Sequence, residues 1–135
     1  MGSESQAPAP GPVEQDVIVV GWRAGKGSHA RRIGSLLVAV PRGLELHYVG
    51  RVGTGFRESE LAAMTSRLRH MARKLPPVDN VIPTADAKDA HWVRPALVGR
   101  VSYQGLSEHG RYLRPVWKGW KQDTTPSEVA TLPDL

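Results

Sequence analysis

The 135-residue chain contains no cysteine, so neither a disulfide nor a cysteine-ligated metal can hold its fold. It has no apolar run long enough to cross a bilayer. The opening MGSESQAPAPGPVEQ lacks the apolar core of a secretion signal, and a cytoplasmic location is expected. Residues 1–15 read as a flexible leader. The five histidines, His29, His47, His70, His91 and His109, stand at no metal-ligand spacing, so no metal site is expected. No nucleophile elbow occurs, and no pair of carboxylates sits in an apolar setting that would separate their pKa values. Catalytic residues are therefore not expected in this chain.

Acids are scarce in the middle of the sequence. All 18 Lys and Arg lie between Arg23 and Lys121, where only seven of the 13 Asp and Glu lie. That body carries a net charge of +11, with acidic flanks, a balance that suits a polyanionic partner such as nucleic acid.

Gly34 to Gly55, GSLLVAVPRGLELHYVGRVGTG, reads as two strands closed by a turn. Leu36 to Val40 is a compact apolar run, and Leu44, Leu46 and Tyr48 alternate with polar neighbours, as a half-buried strand requires. Asp16 to Arg23 is an earlier strand with four consecutive β-branched residues, Val17 to Val20. Glycines 50, 53 and 55 mark a bulge or sharp bend after the third strand. Over Arg57 to Leu75, Leu61, Met64, Leu68, Met71 and Leu75 recur at helical spacing, and Pro76-Pro77 stops the helix. Since Arg57 cannot cap it through a side-chain oxygen, Thr54 or Ser59 is expected to do so. Val93 to Tyr103 and Arg111 to Trp120 supply the fourth and fifth strands, and the tail from 123 to 135 reads as loose. The order β-β-β-α-β-β over residues 16–122 is that of a five-stranded OB-fold barrel, a mainly β domain that binds oligonucleotides.

Gly21 to Ser28, GWRAGKGS, falls short of a phosphate-binding P-loop. Three residues rather than four separate its first two glycines, and Gly27 stands where the metal-binding hydroxyl belongs. A basic loop that touches phosphates without specificity is the better reading. Trp22, Trp92, Trp117 and Trp120 interleave with cations, a pattern that suits base stacking, although tryptophans more often fill a core. Trp117 and Trp120, three apart, would face opposite sides of a regular strand.

Gly21-Trp22-Arg23, Gly34-Ser35-Leu36-Leu37, Tyr48-Val49-Gly50-Arg51-Val52-Gly53-Thr54-Gly55-Phe56, Val93 to Val98 and Pro115 to Asp123 together resemble the C-terminal OB domain of bacterial ATP-dependent DNA ligases, those of the DNA ligase D type used in end joining. The resemblance covers about Asp16 to Val129. It implies a domain that grips duplex DNA around a nick, across the minor groove. It also implies a partner, the adenylating ligase domain, which carries the nucleophilic lysine in a Lys-x-Asp-Gly motif that this chain lacks. ATP and Mg would be bound by that partner and not by this chain alone. The DNA face would be Arg23, Lys26, Arg31, Arg32, Arg51 and Arg100. Lys118 and Lys121, in the last motif, would orient the triphosphate. The family motif commonly ends Arg-x-Asp-Lys, where this chain has Lys121-Gln122-Asp123-Thr124, and Leu113 stands where an arginine usually precedes the proline. Lys121 keeps charge and loses the bidentate fork, and Thr124 loses the charge. A monomer is expected. A stand-alone DNA- or RNA-binding module and a protein-interaction module that recruits a repair factor are the alternative readings.

Overall fold

A single long strand, β1 (Val13–Ala24), is the axis of the fold. In the computed structural model, which describes residues 12–130, it pairs antiparallel with β2 (Ile33–Arg42) along one edge. Its other edge pairs with the two-residue β4 (His91–Trp92) and with β5 (Val98–Tyr103). β3 (Glu45–Val52) pairs with β2, and β6 (Val116–Trp120) with β5, giving the order β3-β2-β1-β5-β6. One 12-residue helix, α1 (Glu58–Arg69), follows β3, and a single turn, α2 (Thr84–Ala87), precedes β4. The architecture is mainly β, one antiparallel sheet with one substantial helix, consistent with the expected OB-fold.

The sheet is buried on both faces, which explains the unbroken Val17–Val20 run. Val17 and Val19 point inward with Leu36, Val38, Val52, Trp117 and the α1 residues Leu61, Met64 and Leu68. Ile18 and Val20 point the other way, with Leu37, Ala39 and Tyr48. That outer face is covered by a strap, residues 78–90, through Val78, Ile82 and Ala90, and by Val129. Double burial favours continuous apolar strands over alternating ones.

The β2–β3 turn falls one residue later than expected: Leu44, read as a half-buried strand residue, is a turn position and fully exposed, and Pro41 and Arg42 belong to β2. Arg42 faces Glu45 across the β2–β3 hairpin, and Gly43 takes φ +63 at the first of two turn positions. The glycine-marked bend is a bulge: Val38 pairs with Gly50 while Ala39 pairs with Tyr48, leaving Val49 extra. The ladder does not close into a continuous barrel. Instead two backbone hydrogen bonds span the gap: Tyr112 N–H donates to the Val49 carbonyl (2.7 Å) and Trp117 N–H to the Thr54 carbonyl (2.9 Å). Gly55, at φ +98, lies against the Trp117 backbone where a Cβ would stand.

Several boundaries differ from expectation, each for a physical reason. β1 starts at Val13, with Val13, Glu14 and Gln15 paired to Tyr103, Ser102 and Val101. The helix ends at Arg69 rather than Leu75, because the chain turns to bridge Ala72 to Val93 and Arg94 N–H bonds the Met71 carbonyl. Leu75 is accordingly exposed. No side chain caps α1, neither Thr54 nor Ser59. The expected fourth strand, Val93 to Tyr103, begins only at Val98 as β5; the unforeseen β4 lies before it on the same edge of β1, and the excursion between them carries Pro95, which has no N–H to give. The fifth strand begins only at Val116, after Pro115 and after Arg114 at φ +49. Trp117 and Trp120 share a side, 5.0 Å apart edge to face, because a bulge at Lys118 opposite Arg100/Val101 resets the alternation. Of the tail expected to be loose, residues 123–130 are described and pack back on the domain, while 131–135, like leader residues 1–11, lie outside the described residues. Thr125 and Glu128 form a capping box on the turn Pro126–Glu128, which delivers Val129 into the outer core.

The strap is tied to β3 by polar bonds. Tyr48 N–H donates to Asn80 Oδ1 (2.7 Å), Asp79 N–H to the Leu46 carbonyl (2.8 Å), and the Tyr48 hydroxyl to Asp86 Oδ2 (2.8 Å). Beside them burial pulls the His47 pKa below its ordinary value, with Arg42 and Arg111 acting in the same direction and Asp79 opposing. The folded state thus resists a proton that the unfolded chain accepts, so stability falls as pH drops through the histidine range. A urea midpoint lower at pH 5 than at pH 7.5 is expected, and His47→Gln should remove its part of that difference.

Candidate nucleic-acid interface

The arginines divide by whether a carboxylate or carbonyl already holds them. Arg100 is engaged twice, Nε with Asp16 Oδ1 (3.0 Å) and Nη1 with Glu14 Oε1 (3.2 Å), and these bonds raise its pKa. Arg51 donates Nε to Ser35 Oγ (3.1 Å) and lies 3.7 Å from Asp86. Arg23 reaches the Lys88 carbonyl, fastening the strap. Arg32 pairs with Glu58 and donates Nε to His29 Nδ1 (3.1 Å). Four of the six residues expected on the DNA face are thus partly spent within the protein.

Lys26 and Arg31 are different. Both are exposed on the β1–β2 loop, and among the described residues no carboxylate lies within ion-pair distance of either. Arg31 meets a group that the sequence reading passed over. Arg69, at the end of α1, donates Nη2 to the Arg31 carbonyl (3.1 Å) and lies 5.1 Å over the Trp22 ring. Trp22 stacks at 4.2 Å on the exposed His91. Arg73 N–H bonds the Trp92 carbonyl (2.9 Å) and Arg94 N–H the Met71 carbonyl (2.8 Å), so their exposed side chains emerge beside β4. Arg31, Arg69, Arg73 and Arg94 form a rim with no acid partner among the described residues; Arg69, like Arg23, is held by a carbonyl, which leaves its charge unneutralised. The available sign was the density of cations in Arg67, Arg69, Arg73 and Lys74 ahead of Pro76-Pro77. A helix drawn to Leu75 spread them around a cylinder.

The tryptophans divide likewise. Trp22 and Trp117 are buried core residues, while Trp92 and Trp120 are half-buried against the two cores.

Lys118 is exposed on β6. Lys121 is half-buried, its N–H bonded to the Val98 carbonyl (2.8 Å), in a notch of about 230 Å³ with Arg67, Trp120, Thr124 and Pro126. Arg67 lies 5.7 Å over the Trp120 ring, bringing a second cation to that notch. Among the described residues no three His, Cys, Asp or Glu cluster to hold a metal, and no helix is long and apolar enough to cross a membrane. The arrangement can bind anions.

The family model described as ATP dependent DNA ligase C terminal region matches residues 29–124. The multifunctional non-homologous end joining protein LigD of Mycolicibacterium smegmatis is 40% identical over 115 residues, 85% of this chain and 15% of that protein. LigD of Mycobacterium tuberculosis H37Rv is 41% identical over the same lengths. The chain thus spans about 15% of the length of these relatives. The crystal structure of the ligase domain from M. tuberculosis LigD superposes with a TM-score of 0.83 at 39% identity, covering 90% of this chain and 39% of that one. A mycobacterial DNA ligase D complexed with ATP and MES gives 0.77 at 38% identity. With the family match spanning β2 to β6 and the backbone agreeing, the chain belongs to the ATP-dependent DNA ligase C-terminal region family.

Proposed function

We propose that this domain grips duplex DNA around a nick through backbone phosphates, as a monomer, and serves a separate adenylating domain in DNA repair. The observation that carries the reading is the uncompensated rim Arg31, Arg69, Arg73 and Arg94, continuous with Lys26, on a member of this ligase family. Phosphate contacts position a protein on DNA without reading sequence. The adenylating domain supplies the lysine nucleophile and holds ATP and Mg. Lys118 and Lys121, with Arg67 beside Lys121, turn toward its triphosphate and favour pyrophosphate departure by charge. The mycobacterial relative complexed with ATP supports an ATP-dependent partner.

The test is complementation. Adding this domain to a lone adenylating ligase domain should raise the rate of nick sealing at least tenfold, and Lys121→Ala should lower that gain while leaving DNA affinity unchanged. Nick sealing no faster than with the adenylating domain alone overturns the ligase role. One feature favours a second reading, a stand-alone DNA-binding module: the last motif has Thr124 where the family commonly has lysine. That reading expects salt-dependent DNA binding with no rescue of sealing.

A further inference from the structure

Between the β1–β2 loop and the start of α1 lies an open groove of about 310 Å³, bordered by Lys26, His29, Arg32, Gly34, Gly55 and Glu58. We propose that this groove is a phosphate-binding site which the chain's own Glu58 carboxylate fills until a DNA phosphodiester displaces it. The inference rests on the DNA-gripping reading above.

Three observations carry it. First, Arg32 is the more buried and more bonded partner of its ion pair. The Arg32 side chain is 27% exposed and braced by His29, whereas Glu58 is 74% exposed. A guanidinium held at the groove wall with a carboxylate reaching to it from solvent presents the geometry of an anion site with a replaceable occupant, and a phosphate offers the same fork a bidentate fit. Second, the charge there stays positive. Lys26 is exposed, with no carboxylate within ion-pair distance among the described residues, so the groove carries two cations against one acid even when Glu58 is in place. Third, the site is held by rigid close contacts and joins the rim. A Cβ on Gly34 would come within 2.7 Å of the Gly25 backbone, so the two ends of the loop meet without side chains between them. Arg31, next in chain to Arg32, is bonded through its carbonyl to Arg69. A backbone following the rim would arrive at the groove.

Glu58 then acts as a competing anion. It keeps Arg32 partnered when no DNA is bound, and it weakens contacts that cannot displace it. No bond is made or broken in the exchange; Arg32 trades one oxyanion for another.

The experiment is a double-mutant cycle by fluorescence anisotropy with a nicked duplex, with folding of each variant checked by circular dichroism. Glu58→Gln should tighten binding about threefold, the range an exposed ion pair allows. Arg32→Ala should weaken it and lower the logarithmic salt slope by about 0.9, one phosphate contact. In the Arg32→Ala background, Glu58→Gln should change affinity less than 1.5-fold. An equal gain in both backgrounds means only that overall charge changed, and overturns the exchange, as does no gain in the parent protein. If the unaltered domain binds nicked duplex in a salt-dependent way but the cycle shows no coupling, the groove proposal alone fails. If the unaltered domain binds no duplex at all, both fail.

Discussion

Gly99→Ala is expected to destabilise the domain by about 3 kcal/mol, the upper end for overpacking a filled core. Gly99 lies in β5 directly beneath the Trp117 indole, whose Cζ2 would be 2.9 Å from an added Cβ, with other ring atoms nearer still. The ring has little room to move. Trp117 is 2% exposed, packs against Phe56 at 6.1 Å and Trp120 at 5.0 Å, and its backbone N–H is bonded to the Thr54 carbonyl. Only part of the strain can therefore relax, and the melting temperature should drop by roughly 10 °C or more for a domain of this size. Shrinking the ring tests the cause: Trp117→Leu in the Gly99→Ala background should recover part of the loss, although Trp117→Ala alone costs about 3–5 kcal/mol. A Gly99→Ala protein within 0.5 kcal/mol of the parent by urea unfolding would show that the sheet yields here.

The second large effect is on DNA binding. Alanine at Arg69, Arg73 and Arg94 together should reduce the logarithmic salt slope by roughly three units, near 0.9 per lost phosphate contact. Lysine at the same positions should keep most of the slope, because the contacts are charge contacts rather than forks. Arg100→Ala should leave the slope unchanged, since Glu14 and Asp16 already hold that guanidinium. Salt titrations of anisotropy on one nicked duplex measure all three. If Arg100→Ala lowers the slope as much as the triple variant, charge compensation is not what selects the DNA face.

Strand identity was legible because it is set by local chemistry. β-branched runs, glycine at positive φ and prolines where no N–H is needed all act within a few residues, and β1, β2, β3 and their hairpin follow them closely. What misled was tertiary. The periodicity through Leu75 was genuine as far as Met71, which is buried, but the bridge from Ala72 to Val93 ended the helix six residues early. That one difference moved Arg73 and Arg94 together and hid the rim. The tryptophan pair was misjudged through a bulge whose glycine, Gly119 at φ +127, gave no sign of its partner strand's register. Arg23, Arg32, Arg51 and Arg100 were selected on charge, yet acids 26 to 86 residues away in sequence, or a carbonyl of the strap, hold them. Sequence shows where charge is and not what neutralises it.

The strap over the outer strands has a last consequence. With Val78, Ile82, Ala90 and Val129 seated on that surface, no nucleobase can lie flat across the middle of the sheet. A duplex can meet this domain only along its margins, where cations end long side chains and few rings are free to probe a base edge. On the proposed DNA-gripping reading, recognition by such a surface would be indifferent to which letters are written in the groove, and would respond instead to the spacing and curvature of the sugar-phosphate rails. Deleting the strap would not improve the grip, because it would uncover grease rather than charge.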